Sequence, residues 1–511
     1  MDTAHAAPGR IRKVVIAGGG TAGWLAGCAL AHQFRDLLDI TLVESDQIGT
    51  IGVGESTVPP IRNFHRFLQI DEQEFLRAVA GTFKLSISFE GWGQPGDRYL
   101  HPFGPAGQGT WATPFHHFWL DSRRRGMPPS TLADFCLEGV AALADRFSLD
   151  TRPQVNYAYH LDAGLYARFL RGIAERHGLV RVEGKIGEVE RHAHSGDVAA
   201  VVLDDGRRLE GDLFIDCTGF RGLLIEQALE TGYEDWSHWL PCDRAIAVQT
   251  ESAGGPVPYT RAIAHEAGWR WQIPLQHRVG NGLVYCSRYL SDDEAQARLM
   301  HDMESRPLRE PRLVPFRTGR RLRTWNRNVV ALGLTSGFVE PLESTSLHLT
   351  MSAIVRLIQL FPFEGISPAL VDRFNDLGRA EAEHVRDFVI LHYHATRRDG
   401  PMWAECREME LPASLEQRLR AWRDRAHAWQ LGDELFRVDS WAHVLMGQGV
   451  QPGPPHPLVR GLGDDALRQL LAGIRAQIAH AAAGMPSQQT FIASYCKAGP
   501  GVWSAGMPAP A

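Results

Sequence analysis

Hydrophobic and polar positions along the chain fall into two regimes, one of short apolar runs and one of helical periodicity. Lys13–Ala17 is a β-branched run with a single polar residue at its start, the pattern of a buried parallel strand. It leads into Gly18-Gly19-Gly20-Thr21-Ala22-Gly23, and residues 24–34 follow as an Ala- and Leu-rich helix. Residues 40–43 form a second apolar strand that ends on Glu44, so the chain opens with a β-α-β unit. Residues 49–60 are Gly-rich and turn-like. Residues 61–68 and 71–79 are helical, the second capped by Asp71, and 84–89 alternate as a strand. Residues 91–114, dense in aromatics and prolines, predict a long irregular stretch.

Further on, 166–178 predict a helix and 180–205 a set of strands turning at Gly184 and Ser195-Gly196. Leu213–Asp216 is another short buried strand, followed by Cys217-Thr218-Gly219. Residues 246–250, 269–273 and 282–287 predict a second sheet, and 328–332 return to the pattern of the first. A loop over 337–345 feeds a helix at 347–360, beyond which the pattern is mostly helical. The fold class is α/β. A Rossmann-type dinucleotide-binding core over 11–360 is interleaved with a sheet-containing substrate domain, so the domains are discontinuous in sequence. A mainly helical region covers 361–483. Residues 484–511, rich in Gly, Ala, Pro and Ser, predict a loosely ordered tail in which Phe491 and Tyr495 offer a docking point.

Composition narrows the partners. The chain has 511 residues, 44% hydrophobic and 22% charged, enough for more than one subdomain. A net charge of -6 gives no general affinity for nucleic acid. Seven scattered cysteines without a C-x-x-C pair argue against a disulfide framework or a zinc site and for a reducing cytoplasm. No apolar run reaches the ~18 residues of a membrane span, and residues 1–10 lack the apolar core of a signal peptide.

The chemistry starts at Gly18-x-Gly20-x-x-Gly23, placed between a strand and a helix. Gly18 permits the tight turn, Gly20 lets a pyrophosphate approach the backbone, and Gly23 lets helix and strand pack closely. The free N–H groups of the helix N-terminus that follows favour phosphate. Glu44, ~20 residues on, stands where an acid binds a ribose hydroxyl. By this motif alone the dinucleotide is FAD or NAD. The segment from Leu213 to Gly219 resembles the second flavin motif of monooxygenase-type flavoproteins, and that from Asn328 to Gly333 resembles their third strand; both favour FAD. Trp269-Arg-Trp271-Gln-Ile273-Pro274 places two indoles on one side of a strand, a rigid apolar wall.

W-x-W-x-I-P, taken with the N-terminal G-x-G-x-x-G, resembles the signature of the flavin-dependent halogenases, the tryptophan-halogenase-like group. The resemblance runs from Val14 to about Leu458. It implies that reduced flavin, O2 and a halide (chloride or bromide) form a flavin hydroperoxide and then hypohalous acid, which halogenates an electron-rich aromatic. Gly81-Thr-Phe-Lys84 is similar to the family's strand with its essential lysine. Phe338-Val-Glu-Pro-Leu-Glu343-Ser344-Thr345 is similar to the loop with its essential glutamate. The resemblance therefore implies Lys84 and Glu343 as the catalytic pair, with Ser344 positioning Glu343. A lysine in a partly apolar pocket can act as proton donor or nucleophile, and a carboxylate can stabilise the cationic ring.

The segment Gly52-Val-Gly54-Glu-Ser-Thr-Val-Pro59 resembles the family's loop near the flavin. The implied cofactor residues are Gly18, Gly20, Thr21, Ala22, Gly23, Glu44, Gly54, Val189, Asp216, Gly219 and Leu334. His101-Pro-Phe103-Gly104 resembles a segment lining the aromatic pocket, and Trp269 and Trp271 are implied to keep substrate from the flavin. Backbone N–H groups of Thr345 and Ser346 are the implied halide site; the family often has Gly where this chain has Ser346, a change that could shift halide preference. His392-Tyr393, Arg398-Asp399 with Trp403, and Asp439-Ser-Trp441 with Gly447-Gln-Gly449 resemble further family stretches. No second nucleotide motif follows the first, so a separate flavin reductase is the expected source of FADH2. A homodimer is compatible with the resemblance. Two rival readings share the flavin segments: an aromatic hydroxylase, and a non-catalytic flavoprotein that holds FAD as a structural or sensing ligand.

Overall fold

A computed structural model describes residues 9–48, 54–499 and 502. Part of the Gly-rich segment expected near the flavin, including Gly52 and Val53, lies outside the described residues, as does the end of the tail.

The opening strand, Lys13–Ala17, is the centre of a six-stranded sheet. It pairs in parallel with Asp39–Glu44 on one side and with Leu213–Asp216 on the other. Val180–Glu183 extends the first side and Val329–Ala331 the second, and Trp325–Asn326 closes the sheet as an antiparallel edge. Burial of the central strands on both faces explains their unbroken apolar sequences. The helix Thr21–Phe34 covers one face with nearly every residue buried.

A seven-stranded sheet forms the second layer. Its order runs Arg312–Pro315, Arg244–Thr250, Val279–Tyr285, Gly268–Pro274, Tyr259–His265, Ser86–Glu90, Arg98–Pro102. Every pairing is antiparallel except that of Tyr259–His265 with Ser86–Glu90. Both sheets draw strands from either side of residue 200, and the α/β reading of the sequence holds. The strand expected over 84–89 is two strands in two sheets: Thr82–Lys84 belongs to a small three-stranded sheet, and Ser86–Glu90 to the large one. The irregular stretch expected over 91–114 contains the strand Arg98–Pro102, held by backbone pairing to Ser86–Glu90, which supplies what its aromatic-rich sequence does not advertise.

The small sheet has Ala158–Asp162 at its centre, with Gly54–Ser56 and Thr82–Lys84 on its two sides. Beyond residue 360 the chain is helical, led by the helix Pro368–His394. The tail is docked where it was expected to be loose. Gln488–Tyr495 is a helix, and Gln488, Ile492, Cys496 and Ala498 are buried. Phe491 packs on Phe83 and Phe147, so aromatic contacts hold a segment whose composition is that of a linker.

Candidate active site

A cleft of about 630 Å³ opens at the carboxyl ends of the six-stranded sheet, where ligands of open α/β sheets bind. It is walled by the turns after Ala17, Val43, Glu183, Asp216 and Ala331. Gly18 has φ +105°, and a Cβ there would lie 2.4 Å from the Cys217 carbonyl oxygen. A Cβ on Gly23 would meet the Gly18 carbonyl oxygen at 1.9 Å. Gly20 faces open space and caps its helix without a side chain, leaving the first N–H groups for an anion. Glu44 accepts hydrogen bonds from Arg181 at 2.5 Å and from the Trp24 indole at 3.2 Å, which fixes its carboxylate at the cleft wall. These residues fit a dinucleotide: a bare-backbone cradle, a helix N-terminus, and an oriented acid.

Of the expected cofactor residues, Gly18, Gly20, Thr21, Ala22, Glu44, Gly54, Gly219 and Leu334 line this cleft. Three do not. Gly23 sits behind the turn, as its packing demands. Asp216 is fully buried, and its carboxylate accepts from the backbone N–H groups of Thr218, Leu224 and Ile225 at 2.8–3.0 Å. It therefore shapes the turn that faces the cofactor. Val189 packs in the cluster of Val198, Val201 and Leu203, and Lys185 and Ile186 take the place at the cleft.

Trp269 and Trp271 also line this cleft, with ring centroids 6.1 Å apart. The Trp269 indole donates at 2.8 Å to Glu340, a wholly buried carboxylate that also accepts from Tyr393 at 2.5 Å. Burial raises the Glu340 carboxyl to about 7 against the pull of those two donors. Sequence reasoning missed this residue; its only signal was an acid three positions ahead of Glu343.

Lys84 and Glu343 lie off this cleft, in closed surroundings. Lys84 ends its strand fully buried. Its Nζ donates to the Thr57 carbonyl at 3.1 Å and to the Ser344 hydroxyl at 2.9 Å, and it stands 5.0 Å from the centre of the Phe103 ring. Burial lowers its ammonium to about 7, with the Glu343 charge opposing the fall. Glu343 closes the turn Pro341–Glu343, and Ser344 follows at φ +60°, a left-handed conformation that costs a non-glycine residue about 1 kcal/mol. That reversal brings the Ser344 hydroxyl to Lys84.

His101, expected to line the aromatic pocket, has Nδ1 2.9 Å from one Glu343 oxygen, and His392 Nε2 lies 3.0 Å from the other. The His392 Nδ1–H donates to the Phe388 carbonyl at 2.8 Å, which turns Nε2 toward the carboxylate. Burial alone would raise the Glu343 carboxyl; the two imidazoles hold it at about 2. Phe388, Phe436 and Trp441 stack beside His101 and make the aromatic wall. Thr345, fully buried, and Ser346, at the cleft, sit at the start of the helix Ser346–Gln359, which has no side-chain cap. The Thr345 hydroxyl has no protein partner.

The family model for tryptophan halogenase matches residues 13–464. The chain belongs to the tryptophan halogenase family. Tryptophan 7-halogenase RebH of Lentzea aerocolonigenes is 36% identical over 88% of this chain and 92% of its own length. Among solved structures, Xcc4156, a flavin-dependent halogenase from Xanthomonas campestris, superposes with TM-score 0.94 at 50% identity, covering 98% of this chain and all (100%) of that one. BrvH, a flavin-dependent halogenase from Brevundimonas sp. BAL3, gives 0.91 at 45% identity, covering 95% and 99%. The protein is thus a flavin-dependent enzyme of the halogenase class with FAD as its cofactor, and membership sets aside both the hydroxylase and the non-catalytic readings. Among the described residues, no helix is long and apolar enough to cross a membrane, and no cluster could hold a metal ion.

Proposed function

We propose that this halogenase chlorinates or brominates an electron-rich arene, such as indole or a tryptophan-like compound, directed by Lys84 and Glu343. The observation that carries the reading is the Lys84–Ser344 hydrogen bond of 2.9 Å, which joins the two predicted catalytic segments at the edge of the cleft, with Ser344 lining it and Lys84 buried behind. Reduced flavin, with O2 and halide, supplies hypohalous acid at the cleft. Every later step falls to the chain. Lys84, in balance between ammonium and amine near neutrality, can give a proton to the reagent or hold it as the amine. Glu343, kept ionised by His101 and His392, stabilises the ring cation and helps it lose its proton. The Trp269–Trp271 wall excludes the arene from the cofactor. Uncapped N–H groups at Thr345 and Ser346 favour a halide beside the cleft. Curated relatives named as tryptophan 6- and 7-halogenases support an indole-bearing substrate. FADH2 comes from a separate reductase in a reducing cytoplasm, a setting that suits seven free cysteines.

The test is incubation with FAD, a flavin reductase, NADH, O2 and indole, with chloride or bromide, read by mass spectrometry. A product gaining one halogen, lost in Lys84→Ala, supports the reading; a product gaining only oxygen refutes it. Ser346→Gly should change the chloride-to-bromide product ratio.

A further inference from the structure

Lys84 is one end of a buried run of hydrogen bonds that crosses the small sheet. Ser344 donates to the Ser56 hydroxyl at 3.0 Å, and Ser56 and Thr260 share a 2.7 Å bond. Thr260 lies 2.9 Å from His160 Nε2, His160 Nδ1 lies 3.0 Å from the Thr82 hydroxyl, and Thr82 donates to the Pro274 carbonyl at 2.7 Å. All five linking residues are buried, His160 and Thr82 completely. The sheet register explains the alignment. Ser56 and Thr82 both pair directly with His160, so the three side chains share one face, and Lys84 is two positions beyond Thr82 on that face.

The far end fixes the direction of every bond. A carbonyl only accepts, so the Thr82 hydroxyl donates to Pro274 and its oxygen must receive the His160 Nδ1–H. Burial, and then the Lys84 charge, push His160 well below its usual value, so the ring is neutral and Nε2 accepts. Thr260 then donates to His160, Ser56 to Thr260, and Ser344 to Ser56. The only role left to the Ser344 oxygen at Lys84 is acceptor. Thr57, through its carbonyl, is an acceptor too. Two of the three Nζ positions outside the carbon chain are therefore committed to N–H donation whether Lys84 is charged or neutral.

We infer that Ser344, Ser56, Thr260, His160 and Thr82 form a one-way hydrogen-bond chain, anchored at the Pro274 carbonyl, that directs the third Nζ position of Lys84 toward Phe103. In the ammonium that position holds the proton to be given; in the amine it holds the lone pair. Reversal of the chain would let Ser344 donate into that lone pair and quench it. His160 is a positioning residue, acting on Lys84 from four hydrogen bonds away. The other ionisable groups around Lys84 are Glu343, whose charge it feels, and His101 and His392, which neutralise Glu343. The inference rests on Lys84 as the working amine of the proposed reaction, and its test reads Lys84 itself.

The sequence holds four lysines, and Lys13, Lys185 and Lys497 are exposed. Full-length protein labelled with 13C/15N-lysine therefore gives four side-chain signals, with Lys84 assigned by its absence in Lys84→Arg. The wild-type Lys84 signal should titrate near neutrality. Thr260→Val and His160→Leu cut the chain and free Ser344 to donate, so the midpoint should fall by a unit or more, a tenfold change in the amine-to-ammonium ratio. Thr260→Ser and His160→Gln, which keep an acceptor for each upstream hydroxyl, should stay within a few tenths of a unit of wild type. Unchanged midpoints in Thr260→Val and His160→Leu would overturn the inference, as would equal shifts in His160→Gln and His160→Leu. Unchanged thermal unfolding separates these outcomes from misfolding. Halogenation lost in Lys84→Ala bears on the reaction; the titration bears only on the chain.

Discussion

The flavin cleft and the Lys84 pocket are neighbours built on opposite plans. The cleft is open and is shaped by backbone: Gly18, Gly20 and Gly219 turn the chain, and a bare helix end faces the space between them. The surroundings of Lys84 are shaped by side chains, with a lysine, a glutamate and two histidines buried together and Ser344 linking them to the cleft. A backbone cradle tolerates a large ligand arriving and leaving. A buried charge cluster is expensive unless every member is paired, and here each member is. Trp269 and Trp271 line the cleft, and Glu340 pins the Trp269 indole.

Mutations should separate the two plans. The largest effect is expected from Lys84→Ala: halogenation down about 10³-fold with flavin affinity, read by fluorescence quenching, unchanged. Gly18→Ala should do the converse. Its Cβ has no space and its φ of +105° is strained, so flavin affinity should drop about 10- to 100-fold while Lys84 still titrates near neutrality.

Lys84→Met should stabilise the fold. The lysine is lowered to about 7 in the folded chain and returns to ~10.4 when unfolded. Between those values the unfolded chain binds more protons, so wild-type stability climbs with pH across the window. Methionine removes that penalty but strands two acceptors, leaving a net gain on the order of 2 kcal/mol at pH 7 that shrinks toward pH 10. Urea denaturation at both pH values checks it.

The smallest expected effect is that of Glu340→Gln, beside the tryptophan wall. Glu340→Ala leaves the Trp269 and Tyr393 donors unmatched and should cost about 2–3 kcal/mol, whereas Glu340→Gln, which keeps an acceptor, should cost less than about 1 kcal/mol in thermal unfolding.

The same contrast explains what the sequence disclosed. Gly18, Gly20, Gly23 and Glu44 lie within one local β-α-β unit, where spacing alone states geometry, and the apolar runs marked the buried strands. Lys84 and Glu343 were legible only through resemblance, because lone polar residues carry no periodicity. His160, Thr260 and Ser56 gave no signal at all. Their meeting depends on strand register and on two sheets packing face to face. Arg98–Pro102 was missed for a related reason, since its partner strand and not its composition makes it extended. The contact of His101 with Glu343 was not legible, because a motif states position but not which way a ring turns.

The docked tail has a consequence for how the enzyme is made. Gln488 accepts from the Phe83 backbone N–H at 3.1 Å and donates to the Pro256 carbonyl at 2.8 Å, and Phe491 packs on the Phe83 ring. The strand that ends in Lys84 is therefore completed by residues synthesised some four hundred positions later. A ribosome-bound chain missing those residues lacks the clamp beside Lys84. A polypeptide clipped ahead of Gln488 would lose these contacts on the strand that carries Lys84.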